Sequence, residues 1–291
     1  MRRFLLMVIG FSLLAYPGQA ITRLGDSPGS SFHLHPDSIK RNWVNNNSRS
    51  YSRKGNFFLL AGINWSWYGR SDINFKGPGY DFTLEDVKGS DKPYQTSIQY
   101  NIHAGYFIKD NYSISVGLDH MKYVMKVPQQ LTITGIIGSE VSDPEIPTGQ
   151  YAGSYRNQPI TVKSDLVTLE YTDGFNYVST HIQRYDDIWI SANGNKSLAL
   201  ETEIGAGVLV PRADVRLFGV GMNNHLNIAG WVGSVKAGLM FNCTRNIYFI
   251  ANLEAGHANM NKIYTTGRNN EDKASQKLNF MQNSYLLGIR F

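Results

Sequence analysis

The last fifteen residues, KLNFMQNSYLLGIRF from Lys277 to Phe291, change polarity at every second position. Met281, Tyr285, Leu287, Ile289 and Phe291 share one parity, while Gln282, Ser284, Gly288 and Arg290 share the other. A two-residue period predicts a strand with one apolar face and one mostly polar face. Leu286 and Phe280 interrupt the polar face. The same alternation recurs at 56–68, 95–108, 112–125, 164–189, 197–210, 226–241 and 247–258, which gives eight predicted strands. Short turns at 109–111, 191–196 and 242–246 alternate with longer loops at 70–94, whose FKGPGYDF turn is expected to be the tip of a β-hairpin, 127–163, which holds a short strand-like piece from Leu131 to Ile137, 211–225 and 260–276. The expected fold is all-β: an antiparallel up-and-down transmembrane β-barrel of eight strands.

The placement of charge separates this barrel from a soluble sandwich. An apolar side chain gains about 1.5 to 3 kcal/mol on leaving water, whereas a Lys or Arg facing lipid at mid-depth costs about 2 to 4 kcal/mol. The apolar parity carries no charge through its central stretches, and Glu201, Glu203, Lys236, Glu254 and Arg290 all fall on the interior parity. In an eight-stranded barrel side chains fill the interior, so these five residues are expected to form a structural ion-pair network. Lys236 and Glu254, two residues off register across their turn, are the best pair. If the 109–111 turn centres on Asp110, Asp119 lies opposite Asn101 and diagonal to His103, which forms a second interior polar cluster.

The other end of the chain agrees with an exported protein. Arg2 and Arg3 precede an apolar run from Phe4 to Ala15, and Gly18 and Ala20 are small residues at the positions a signal peptidase reads. Residues 1–20 are therefore expected to be a signal peptide cleaved after Ala20, 21–55 a flexible periplasmic leader, and 56–291 the barrel. Loss of Arg2 and Arg3 would leave 26 basic against 23 acidic residues, a net charge of +3. No long run of like charge supports nucleic-acid binding. The 17 Tyr, 14 Phe and 5 Trp suit the aromatic girdles of a membrane barrel, with Trp65 and Trp67 at one strand end as candidates.

The alternation Tyr285, Leu287, Ile289, Phe291 with Gly288 among them resembles the C-terminal assembly signal of bacterial outer-membrane β-barrels. The whole-chain pattern resembles the small eight-stranded outer-membrane proteins. The strings FKGPGYDF (Phe75 to Phe82), GLDHMKY (Gly117 to Tyr123) and YTDGFNY (Tyr171 to Tyr177) resemble barrel proteins of the Bacteroidetes group. The resemblance implies a location in the outer membrane of a Gram-negative bacterium. It also implies partners in outer-membrane lipid and the barrel-assembly machinery, and a structural or surface-interaction role through the long loops, which could hold an extracellular ligand.

No HExxH, GxSxG, P-loop or CxxC motif is present, and neither a cofactor nor a metal is expected. His33 and His35 share a strand face without further ligands beside them, and Cys243 is the only cysteine. For catalysis the candidates are His120, Ser179, His181 and Asp173. His120 continues the outward parity of the third strand, and lipid A deacylases are similar in placing a His on the barrel wall. Ser179 and His181 form a Ser-x-His with Asp173 near in sequence. A lipid-modifying hydrolase of the lipid A or phospholipid deacylase type is thus the alternative function, and a narrow pore is the third.

Overall fold

The computed structural model describes residues 51–93, 95, 97–139, 147–221, 225–266 and 271–291. The predicted signal peptide, most of the predicted leader and the His33/His35 pair lie outside the described residues. Strands run, in chain order, β1 (Phe57–Tyr68), β2 (Ser71–Gly77), β3 (Tyr80–Val87), β4 (Gly89–Ser90), β5 (Tyr100–Lys109) and β6 (Tyr112–Met121). They continue as β7 (Val124–Met125), β8 (Gln129–Ile137), β9 (Gly153–Val162), β10 (Val167–Glu170), β11 (Phe175–Ile190) and β12 (Ser197–Leu209). The last five are β13 (Asp214–Leu217), β14 (Val220–Gly221), β15 (Gly230–Asn242), β16 (Ile247–Tyr264) and β17 (Lys273–Arg290).

Eight of these strands close on themselves. The order β1, β5, β6, β11, β12, β15, β16, β17 is antiparallel throughout, and β17 returns to β1 from Phe58↔Arg290 to Tyr68↔Phe280. The ring has no free edge, so its backbone groups are paired without water, which is the condition for a sheet in hydrocarbon. Its outer wall carries Val116 (59% exposed), Ile204 (60%) and Leu287 (55%), while Lys236 and Arg290 are buried inside. Arg184 and Asp186, exposed charges on the wall, pair with each other near the short-turn end. Such an outer surface is stable against acyl chains and not against water.

The predicted fourth strand, 164–189, is two elements. The bend at Thr172 to Gly174, where Gly174 has φ +136°, separates β10, which belongs to a second sheet, from β11, which belongs to the barrel. Residues 51–55, read from composition as the end of a leader, are packed. The Arg53 guanidinium is buried, pairs with Asp187 at 2.6 Å and lies against the Tyr185 ring, closing the short-turn end.

The longer connections are also structured. Beyond β1, the β17 edge pairs with β2, and the sheet continues through β3 and β8 to β9. The FKGPGYDF segment is the β2–β3 hairpin turning at Pro78-Gly79, as its sequence suggested. Strands β14, β13, β10, β7 and β4 form a second, five-stranded sheet. The two sheets share a core that includes Phe75, Phe82, Leu84, Val162, Val215 and Leu217, and this core runs without a break into the barrel mouth at Phe175, Leu209, Met260 and Phe280. Among the described residues, strand β9 is the outermost of the row and pairs only with β8; it carries Pro159 and, at Asn157, a positive φ of 50°.

Candidate functional site

Three levels fill the barrel interior. At the short-turn end Phe58, Phe107, Tyr185, Met240, Tyr248 and Leu286 form an apolar plug. At the mouth the core described above forms a second. Phe280 and Leu286, which broke the polar face of the last strand in the sequence, are members of these two plugs. Between them lies a belt of polar groups, nearly all fully buried.

Lys236 is the centre of this belt. Its Nζ lies 3.1 Å from Glu203 Oε1, 3.5 Å from Asp119 Oδ2 and 3.5 Å from Glu254 Oε2. Strand pairing sets these neighbours, because Lys236 is directly opposite Glu203 on β12 and Glu254 on β16. The Lys236–Glu254 pair is therefore in register, not two residues off. Asp119 is opposite Asn101, as predicted from the tight turn, and accepts a hydrogen bond from its amide. Asp119 also contacts His103 Nε2 at 2.7 Å. The two clusters inferred separately from sequence are thus one network joined through Lys236.

Arg290 does not belong to it. Its guanidinium donates to Asn242 and lies 4.7 Å from the Tyr248 ring centre, inside the lower plug. Glu201 is tied to Asn252, whose Nδ2 donates to Oε2 at 3.2 Å.

His181 Nδ1 is 2.7 Å from Glu203 Oε1, and its Nε2 is 2.5 Å from Ser179 Oγ. Residues two apart on a strand share a face, which is why a Ser-x-His becomes a contact here. The carboxylate behind the imidazole is Glu203 from the next strand; Asp173 is exposed beyond the barrel, and Arg212 lies 3.7 Å from it. His120 is not lipid-facing. It is 6% exposed, stacks on Tyr100 with ring centres 4.9 Å apart, and contacts Asn176 and Ser97. The segment from Ser97 to Tyr100 covers the wall at that point, so the four catalytic candidates do not converge.

Two glycines make room for the histidines. A Cβ on Gly117, opposite His103, would fall 2.6 Å from the His103 ring, and one on Gly205, opposite His181, would fall 2.4 Å from Nδ1. The rings of His103 and His181 stack with centres 5.1 Å apart. Gly288 serves an aromatic in the same way beneath Tyr248, while Tyr285, Leu287, Ile289 and Phe291 point outward. Above the belt Asp91 accepts from the Ser66 N–H at 2.7 Å and from Gln99, and burial pushes its carboxyl above the usual range.

No protein-family model matches this chain, and no curated protein matches it. Its architecture is a closed antiparallel β-barrel of eight strands. Among solved structures it is similar to the outer membrane protein OprG from Pseudomonas aeruginosa, at 11% identity over 82% of this chain and 97% of that one, with a TM-score of 0.37. It is also similar to Neisserial surface protein A, at 12% identity over 82% and 100% of the two chains, TM-score 0.36. A third is the outer membrane protease OmpT from Escherichia coli, at 8% identity over 81% and 97%, TM-score 0.33.

Proposed function

We propose that this protein is a non-conducting barrel of the Gram-negative outer membrane that holds a folded β-layer at the cell surface for recognition of an external partner. The observation that carries this reading is the continuous core joining the barrel mouth to the two outer sheets. A mobile loop pays ordering entropy on binding, whereas strands held on a closed ring present a fixed surface. The two apolar plugs and the buried belt argue against an aqueous path, since an eight-stranded interior is about filled by side chains. Outer-membrane lipid and the barrel-assembly machinery are the partners this reading requires.

The test combines topology and conductance. Trypsin added to intact cells should cut at exposed Arg156 on β9 and leave two protected fragments, one with β1, β5 and β6 and one with β11 to β17, and purified protein in planar bilayers should give no single-channel steps. Cleavage only after the outer membrane is opened, or regular conductance steps, would overturn the proposal.

A second reading, a lipid-modifying hydrolase, is favoured by one observation. Ser179, His181 and Glu203 stand at the separations of a nucleophile, its base and the group that orients the base. The serine faces the filled interior, so an acyl substrate would have to enter between Tyr177 and the Lys236 network. Incubation with lipid A or phospholipid decides it: fatty acid released by the wild type and not by Ser179→Ala would establish the enzyme.

A further inference from the structure

Among the described residues, the belt between the plugs places four carboxylates, Asp119, Glu201, Glu203 and Glu254, against one ammonium, Lys236. Arg53 and Arg290 lie at the lower level and are engaged by Asp187 and Asn242. Isolated charge in a closed, low-dielectric interior is costly, so a belt of this composition calls for further positive charge, either protons or a cation.

The same belt holds donors suited to a transition metal. His103, Asp119 and His181 each offer one ligand atom, and these atoms all lie within 4.8 Å of one another. All three residues are buried, and they come from three neighbouring strands, β5, β6 and β11. Glu203, 2.7 Å from His181 Nδ1, is a fourth donor beside them. Imidazole with carboxylate suits a borderline divalent ion such as zinc, which binds His nitrogen at about 2.0 to 2.1 Å and carboxylate oxygen at about 2.0 to 2.2 Å.

The surroundings are built to hold these side chains. Gly117 and Gly205 leave the space the two imidazoles occupy. Ser179 Oγ sits on His181 Nε2, which leaves Nδ1, on the Glu203 side of the ring, to face a metal while the other nitrogen is held by a hydroxyl, the arrangement that fixes ring orientation in metal sites.

We infer that His103, Asp119 and His181, with Glu203 beside them, form a buried binding site for one divalent transition-metal ion of the zinc class. The ion offsets the acidic excess of the belt and ties β5, β6 and β11 together. The apolar plugs on both sides make loading during folding the expected route.

The experiment uses the full chain refolded into detergent with zinc ions, freed of loose metal by a chelator wash and gel filtration, and analysed for zinc by mass spectrometry. About one equivalent should remain on folded wild type, and close to none on folded His103→Ala or His181→Ala. His120→Ala, which alters a histidine outside the site, should keep the full equivalent. Zinc well below one equivalent on the folded wild type, or retained equally by His103→Ala and His181→Ala, overturns the proposal. If the alanine variants do not fold, wild type refolded with cobalt(II) decides the matter. An intense visible absorption of low-coordinate cobalt supports the site, and only the weak spectrum of the hydrated ion overturns it.

Discussion

At the scale of single residues, Lys236 and Arg184 show why a charge must be read with its surroundings. Lys236→Met would leave Asp119, Glu203 and Glu254 buried without their shared cation. The expected loss is about 3 to 5 kcal/mol, read from urea unfolding in detergent. Arg184, half exposed and paired with Asp186, should lose about 1 kcal/mol or less when changed to Ala. Parity alone identified Lys236, Glu203 and Glu254 as interior, because alternation along a strand is visible in sequence. It did not separate Arg290 from them, because level along the barrel axis depends on strand stagger, which the sequence does not print. The acid behind His181 was missed for a related reason: Glu203 reaches it from the next strand, whereas Asp173 was nearer only along the chain. Gly117 and Gly205 were the available signal, since glycine on an interior parity marks a bulky neighbour opposite.

At the scale of elements, the outer sheets carry their own stability. Phe82, 1% exposed, packs on Phe75, Tyr80 and Phe218. Phe82→Ala should destabilise the outer layer by about 3 to 5 kcal/mol. Limited proteolysis should then cut the outer strands faster while the barrel stays resistant. Strand β10 adds a pH dependence. Glu170 lies directly opposite Asp214, and burial first, then Asp214 and Asp173, raises its carboxyl above the ordinary value. A raised value in the folded state means a stabilising contribution that is full below the unfolded pKa and lost as the pH rises through the folded one. Mild acid should therefore increase hydrogen-exchange protection of β10 and β13, and Glu170→Gln should show that protection at neutral pH already. The hairpin at Pro78-Gly79 and the strand near 131–137 were legible from turn chemistry and alternation. That the long loops join into two sheets was not, because the partners of β10 and β17 come from distant parts of the chain.

At the scale of the whole molecule, closure and an apolar exterior make one argument. Val116→Arg places a charge on the exposed wall and should cost about 2 to 4 kcal/mol if that position lies near the bilayer centre. Refolding into lipid vesicles followed by urea titration measures it, and a cost near zero would place Val116 outside the hydrocarbon. The row of strands that leaves the ring at β17 stops at β9, where Pro159 offers no N–H and Asn157 bends the backbone. A second copy drifting alongside finds no uninterrupted ladder there to continue, so neighbouring molecules can crowd together without fusing edge to edge into fibrils.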